Sequence, residues 1–430
     1  MRTKIIALTA TALIVAASAV TTVIAWPASP PAGPAADFAT QPDGAAWDVP
    51  ALSDADQYPS AWMSMNEALR AKDRETFLSY SEGEAREQLE LWWDNTTKIG
   101  WTTAYLLPAV GSDLGEGALL GMELTFAQTP LRGSGNADAG YRLTQAFSYD
   151  ITTVGTGDDM RITTFEPQWA MPWDEGPIHV ERREHVVLYG MADERALIEA
   201  TVDVAEEGAR LALSTITDLG GSTPMTGFVS GITGDQERMS RWEYGGEDPG
   251  WDIEVAGYAE PTVRPPNRSD FLEDDIATGD RTSGVLVMMG PYSAEQRLVT
   301  FTHEFAHGLH FAAAPLGGYA QPPTALFEGF ATYVEVAAGL APTDIFRIPE
   351  VKAAIAAEGI DAFSEENLRD DDAWIGYAAA GSYFQFLAVH GGDPWELAVA
   401  GSDSTEEDLV AIADDERFSE AAWQAWVAGY

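Results

Sequence analysis

The residues of this 430-residue chain best suited to chemistry are Thr302-His303-Glu304-Phe305-Ala306-His307, which fit the pattern H-E-x-x-H. On a helix, residues four apart lie about 40° apart around the axis and one turn along it, so both imidazoles reach one ion. The glutamate between them sits beside the ion and can hold a metal-bound water and accept its proton. With 6 histidines in the chain, a chance match to the pattern is expected only roughly 0.01 times. A helix is written there independently. Ser293 and Gln296 form a capping-box pattern, and Leu298, Phe301, Phe305 and Leu309 make an apolar stripe opposite the histidines.

Two histidines do not close a zinc site, so a third ligand must come from another segment. Beyond His307, after 20 intervening residues, Glu328 stands in Leu326-Phe327-Glu328-Gly329-Phe330-Ala331-Thr332-Tyr333. H-E-x-x-H followed at about this distance by an E-G-F-A-x-Y helix resembles the gluzincins, the zinc metallopeptidase clan of thermolysin-like and aminopeptidase-N-like enzymes. The resemblance covers roughly residues 177–430, and its specific part about 35 residues. The Gly-rich substrate-amine motif of the aminopeptidases is missing, so the likeness is to the clan. It implies one Zn²⁺ per chain held by His303, His307 and Glu328, with Glu304 as general base in peptide-bond hydrolysis. The local pattern agrees, since Pro322-Pro323-Thr324 starts a helix that turns Glu328 back toward the histidines. Glu335, two turns further on the same face, can hydrogen-bond a ligand imidazole.

By the same resemblance Val285, Leu286, Val287, Met288 and Met289 form an edge strand that pairs with an extended peptide or protein substrate. Tyr377, in Ile375-Gly376-Tyr377-Ala378-Ala379-Ala380-Gly381, corresponds to the tyrosine that stabilises the oxyanion, with Tyr383 as the competing candidate. The alternative to an enzyme is a substrate-binding or scaffold protein with a catalytically idle metallopeptidase-like domain. His310 reads as structural, and His179, His185 and His390 stand without metal-ligand spacing. Asp370-Asp371-Asp372 and Glu273-Asp274-Asp275 offer oxygens to calcium but lack the glycine and alternation of an EF-hand loop.

The elements that must position these residues divide the chain. Residues 54–175 open with helical patterns (Trp62, Met65, Leu69; Leu89 to Trp92). Alternating strands follow at Leu120/Met122/Leu124/Phe126 and Tyr141/Leu143/Phe147/Tyr149/Ile151. Helices before an antiparallel sheet resemble the cystatin-like, nuclear-transport-factor-like α+β domains, here an accessory domain. Residues 176–430 then form the peptidase domain, an α/β part followed by a mostly helical part. Strands are expected at His185–Tyr189, Gly227–Ile232, Ile253–Ala259 and Val285–Met289, with helices at Asp193–Thr217 and Asp235–Trp242. The fold class is α+β, with the active site between the α/β and helical parts.

Before residue 54 the chain reads as targeting and spacer. Arg2 and Lys4 precede an uncharged run, Ile5–Ala25, that suits either a signal peptide cleaved near Ala17-Ser18-Ala19 or a single transmembrane anchor. Either puts the remainder outside the cytoplasm, secreted or anchored. Residues 26–53, rich in proline and alanine, form a linker. With 24 basic against 68 acidic residues, the formal charge of −44 repels nucleic acid and anionic membranes, leaving an N-terminal anchor as the one expected membrane contact. The chain has no cysteine, which excludes disulfides and thiolate metal sites.

Overall fold

A computed structural model of the chain describes residues 60–100, 103–108, 117–123, 144–167, 170–222, 225–244, 257–260, 286–289, 294–313, 323–364, 374–402, 409 and 416–430. All lie within one compact unit, Asp43–Tyr430. Helices α1 (Ser60–Ala71), α2 (Arg74–Ser79) and α3 (Gly83–Ile99) come first. An antiparallel meander follows, β1 (Thr103–Pro108), β2 (Gly117–Glu123), β3 (Thr144–Val154) and β4 (Arg161–Pro167), in the order β1-β2-β3-β4. The aromatic run of α3 does the packing, with Trp92 and Trp93 both against Phe77 of α2. Gly100 stops α3 in the left-handed conformation, φ 90°, which a residue without Cβ adopts freely.

A short turn of helix, α4 (Pro172–Glu175), leads into a mixed sheet of β5 (Ile178–Arg182), β6 (Val186–Met191), β7 (Phe228–Ile232), β8 (Gly257–Glu260) and β9 (Leu286–Met289). Its order is β5-β6-β7-β9-β8, with β6, β7 and β9 parallel and β5 and β8 antiparallel at the two ends. Helices α5 (Arg195–Asp218) and α6 (Gln236–Tyr244) connect the strands, and α7 (Ala294–Ala313) follows β9. The rest is helical: α8 (Thr324–Ala337), α9 (Ile348–Glu358), α10 (Trp374–Val389), α11 (Pro394–Gly401) and α12 (Glu420–Ala428). The molecule is thus mixed α+β.

Every residue of β6 is buried, and its alternation feeds two cores. Val186 and Leu188, with Phe228 and Ile232 of β7, face the core built by α5, α7, α8 and α10. Val187, Tyr189 and Met191, with Val229, face the other way and join Trp92, Trp173 and Tyr149 in the N-terminal core. The junction between the two parts is clasped by Asn95. Its amide nitrogen donates to the carbonyls of Trp173 (3.0 Å) and Gly176 (2.7 Å), and its oxygen accepts from the Ile178 N–H (3.2 Å).

Two expectations are corrected here. Val285–Met289 is not an edge strand: β9 is hydrogen-bonded to β7 on one side and β8 on the other, so its backbone groups are already spent. Among the described residues the strands of this sheet paired on one side only are β5 and β8, and Val285 itself lies outside them. The expected membrane anchor is corrected as well: among the described residues no helix is long and apolar enough to cross a membrane. The run Ile5–Ala25 and the linker at 26–53 lie outside the described residues, as do both acidic groups considered for calcium.

Candidate metal centre

Helix α7 carries His303, Glu304 and His307, and its seat in the fold follows from its apolar side. Phe301, Phe305 and Leu309 are fully buried, and the Phe305 ring stacks on Phe228 of β7 at 4.0 Å between centroids. On α5, Gly208 lets the helices approach until a Cβ there would stand 2.8 Å from Phe301 Cβ. The hydroxyls of Thr300 and Thr302 donate to the carbonyls of Gln296 and Leu298 one turn back, each at 2.9 Å, so neither costs the helix an unpaired polar group.

Helix α8 begins directly after Pro323 and crosses α7 on the histidine side. Its position is set from behind by Gly329, where a Cβ would stand 2.4 Å from Ala380 Cβ and 2.8 Å from the Ala380 backbone carbon on α10. The result is convergence. His303 Nε2 lies 3.1 Å from Glu328 Oε2, and His307 Nε2 lies 3.4 Å from the same oxygen. One ligand atom from each of the three residues falls within 4.8 Å of the others. Glu335 closes the far side of His303, its Oε1 2.7 Å from Nδ1. A carboxylate there accepts a hydrogen bond from Nδ1–H, which leaves the neutral ring's lone pair on Nε2.

The electrostatics of these side chains fit that donor set. Burial alone would push His303 down, but hydrogen bonds to Glu328 and Glu335 and the charges behind them raise it well above the ordinary imidazole range. Burial holds His307 low, partly offset by Glu328. Burial likewise pushes Glu328 up, and the two histidines outweigh it and hold the carboxyl at about 2. His307 Nδ1 is buried without a hydrogen-bond partner among the described residues. Its ring is held instead by the edge-on contact with Phe327 and the stack on Phe311, at 5.2 and 6.0 Å between centroids. Glu304 is buried on the same turn as His303.

The two tyrosines separate. Tyr383 is fully buried and its hydroxyl donates to the Phe418 carbonyl, so it is committed to the core. Tyr377 is half-buried at the start of α10, its ring 5.8 Å from that of Trp374. The face of α10 that meets α8 includes Gly381, beside Thr332, and Phe384, whose ring packs on Phe330. Tyr377 lies on that same face, one turn before Gly381.

The remaining histidines are placed as follows. His310 is fully buried, its Nε2 2.6 Å from the Ala398 carbonyl and 2.8 Å from Ser402 Oγ, and burial pushes it down to about 4; it ties α7 to α11. His390 Nδ1 donates to the Phe386 carbonyl at the end of α10. His179 and His185 depart from the expectation that they stand alone. Each lies within ligand distance of two carboxylates, Glu181 and Glu199 for the first, Glu184 and Glu206 for the second. Sequence spacing missed both groups because Glu199 and Glu206 come from α5, which folds back beside the β5–β6 hairpin. No protein-family model matches the chain, and no curated protein is found to be similar to it.

Proposed function

We propose that the chain is a zinc-dependent peptidase of the gluzincin kind, with zinc held by His303, His307 and Glu328. The observation that carries this reading is the meeting of two imidazole Nε2 atoms and one carboxylate oxygen on facing helices, with Glu335 behind His303. Three protein ligands leave a coordination position for water or substrate, as a hydrolytic site requires and a structural zinc does not. Zinc bound there supplies a Lewis acid and a water of lowered pKa. Glu304, next to His303, accepts the water's proton and passes it to the leaving amine. Tyr377 donates to the carbonyl oxygen as it gains charge, which places a peptide substrate between α7 and the start of α10. In this reading α7 and α8 with the β5–β9 sheet form the catalytic domain. The helices and meander of the N-terminal part form a cystatin-like or nuclear-transport-factor-like layer behind it.

Glu304→Gln tests the reading, with zinc content measured beside cleavage of a peptide library. The variant keeps one zinc at the α7–α8 site and its fold but loses turnover, because an amide cannot accept the proton. Wild-type turnover in that variant, or a wild-type protein that holds zinc and cleaves no peptide, rejects it.

A further inference from the structure

The β5–β6 hairpin and α5 bring together a second group of metal-ligating side chains that shares no residue with the α7–α8 site. Glu184 and His185 lie in the turn between β5 and β6, and Glu206 lies midway along α5. One ligand atom from each falls within 4.8 Å of the others. The turn is fixed on three sides. Arg183 N–H donates to the Val186 carbonyl at 2.8 Å, the His185 carbonyl accepts from Phe228 N–H at 2.7 Å, and Glu206 Oε2 accepts from His185 N–H at 2.9 Å.

The tautomer of the imidazole is set. His185 Nδ1 lies 2.9 Å from the Thr226 carbonyl, which can only accept, so Nδ1 carries the proton and the lone pair of the neutral ring is on Nε2. A backbone carbonyl on the other ring nitrogen is how proteins set the tautomer of metal-binding histidines. Among the described residues neither Glu184 nor Glu206 forms an ion pair with lysine or arginine, and the nearby Arg183 is taken by Asp203 at 2.6 Å and Glu181 at 3.7 Å. The His179 group differs on this point. Its Glu199 is bound to Arg195 at 2.6 Å, and a cation there would have to displace the arginine.

We propose that Glu184, His185 and Glu206 form a second divalent-metal site, of the zinc, cobalt or manganese class, pinning the β5–β6 turn to α5. One imidazole nitrogen with two carboxylate oxygens is the donor set those ions share, and it is too nitrogen-rich for calcium.

The test uses the full chain stripped of metal and titrated with Co²⁺, followed by absorption and by metal analysis. The His303→Ala/His307→Ala double variant, which lacks the α7–α8 site, binds one equivalent. Adding Glu206→Gln, Glu184→Gln or His185→Ala weakens that binding at least tenfold. Circular dichroism accompanies each variant, and Glu184→Gln, at an exposed position, leaves every backbone bond of the turn in place. The proposal is overturned if the double variant binds no cobalt, or if its one equivalent survives all three substitutions or is lost instead with His179→Ala. Because the readout is taken without His303 and His307, its outcome does not depend on whether the chain is a peptidase.

Discussion

Replacing Gly329 by alanine separates the packing that positions the proposed zinc ligands from the ligands themselves. In an exposed helix, glycine to alanine stabilises by about 1 kcal/mol. Here the added Cβ would stand 2.4 Å from Ala380 Cβ and 2.8 Å from the Ala380 backbone carbon. Carbon atoms rest at about 3.5–4.0 Å, so α8 and α10 must part locally by about 1 Å or more. Neither neighbour can rotate away, since one is a Cβ and the other is backbone. Overpacking of this kind costs about 1–3 kcal/mol, which exceeds the helix-propensity gain, so the sign is destabilising. Glu328 is the next residue, and metal sites tolerate ligand displacements of only about 0.2 Å. Gly329→Ala therefore lowers the melting temperature and weakens zinc binding by about 10–100-fold, the range seen when the support of a ligand is disturbed. The assay is competition for zinc against a chromogenic chelator, beside a thermal melt. A variant that is as stable as wild type or better, with unchanged zinc affinity, would refute the argument that the α8–α10 contact sets the position of Glu328.

Glu335→Gln removes the charge behind His303 Nδ1 and should weaken zinc binding by about 10–100-fold without unfolding the protein, as equilibrium dialysis would show. Tyr377→Phe should lower kcat by about 10²–10³ at unchanged zinc content; an equal kcat would move the oxyanion donor elsewhere, and Tyr383, bonded to Phe418, is not available to replace it. Asp174 is buried beside Tyr149, and burial pushes its carboxyl up to about 7 from an unfolded value of 3.8. The folded chain thus holds a proton that the unfolded chain releases, so this group's contribution is complete at low pH and falls as pH rises from about 4 to about 7. Asp174→Asn, which mimics the protonated acid, should flatten that part of a urea-midpoint-against-pH curve; the slope that survives belongs to groups such as Glu420, also raised to about 7 by burial.

What the sequence made legible was local. The strand expected at Gly227–Ile232 appears as Phe228–Ile232, and the helix expected at Asp193–Thr217 appears as Arg195–Asp218, because periodicity and turn residues mark such elements directly. The helix of His303 and His307 and the placement of Glu335 were readable for the same reason: each depends on spacing within one helix. Strand order was not readable. Nothing in Leu286–Met289 reveals that β8 lies beyond it, since pairing is decided by a crossover whose direction leaves no local trace. Strand β5 was missed because Ile178–Arg182 is mostly half-buried and polar, without the alternation of a one-sided strand. The environments of His179 and His185 were hidden because their carboxylate neighbours belong to the next helix.

A strand that faces two cores also limits how this sequence can drift. At a strand with one wet face, every second position accepts polar residues almost freely. Along Val186–Met191 there is no such position: a hydroxyl or charge introduced on one face enters the core beneath α7, and on the other it enters the tryptophan-rich core around Trp92 and Trp173. Each would be left without a partner at a cost of about 1–3 kcal/mol or more. In a saturation library scored for folding, these six residues should be among the least replaceable of the chain. The N-terminal layer would then be bound to the half that carries α7 and α8 by shared selection as much as by the peptide chain.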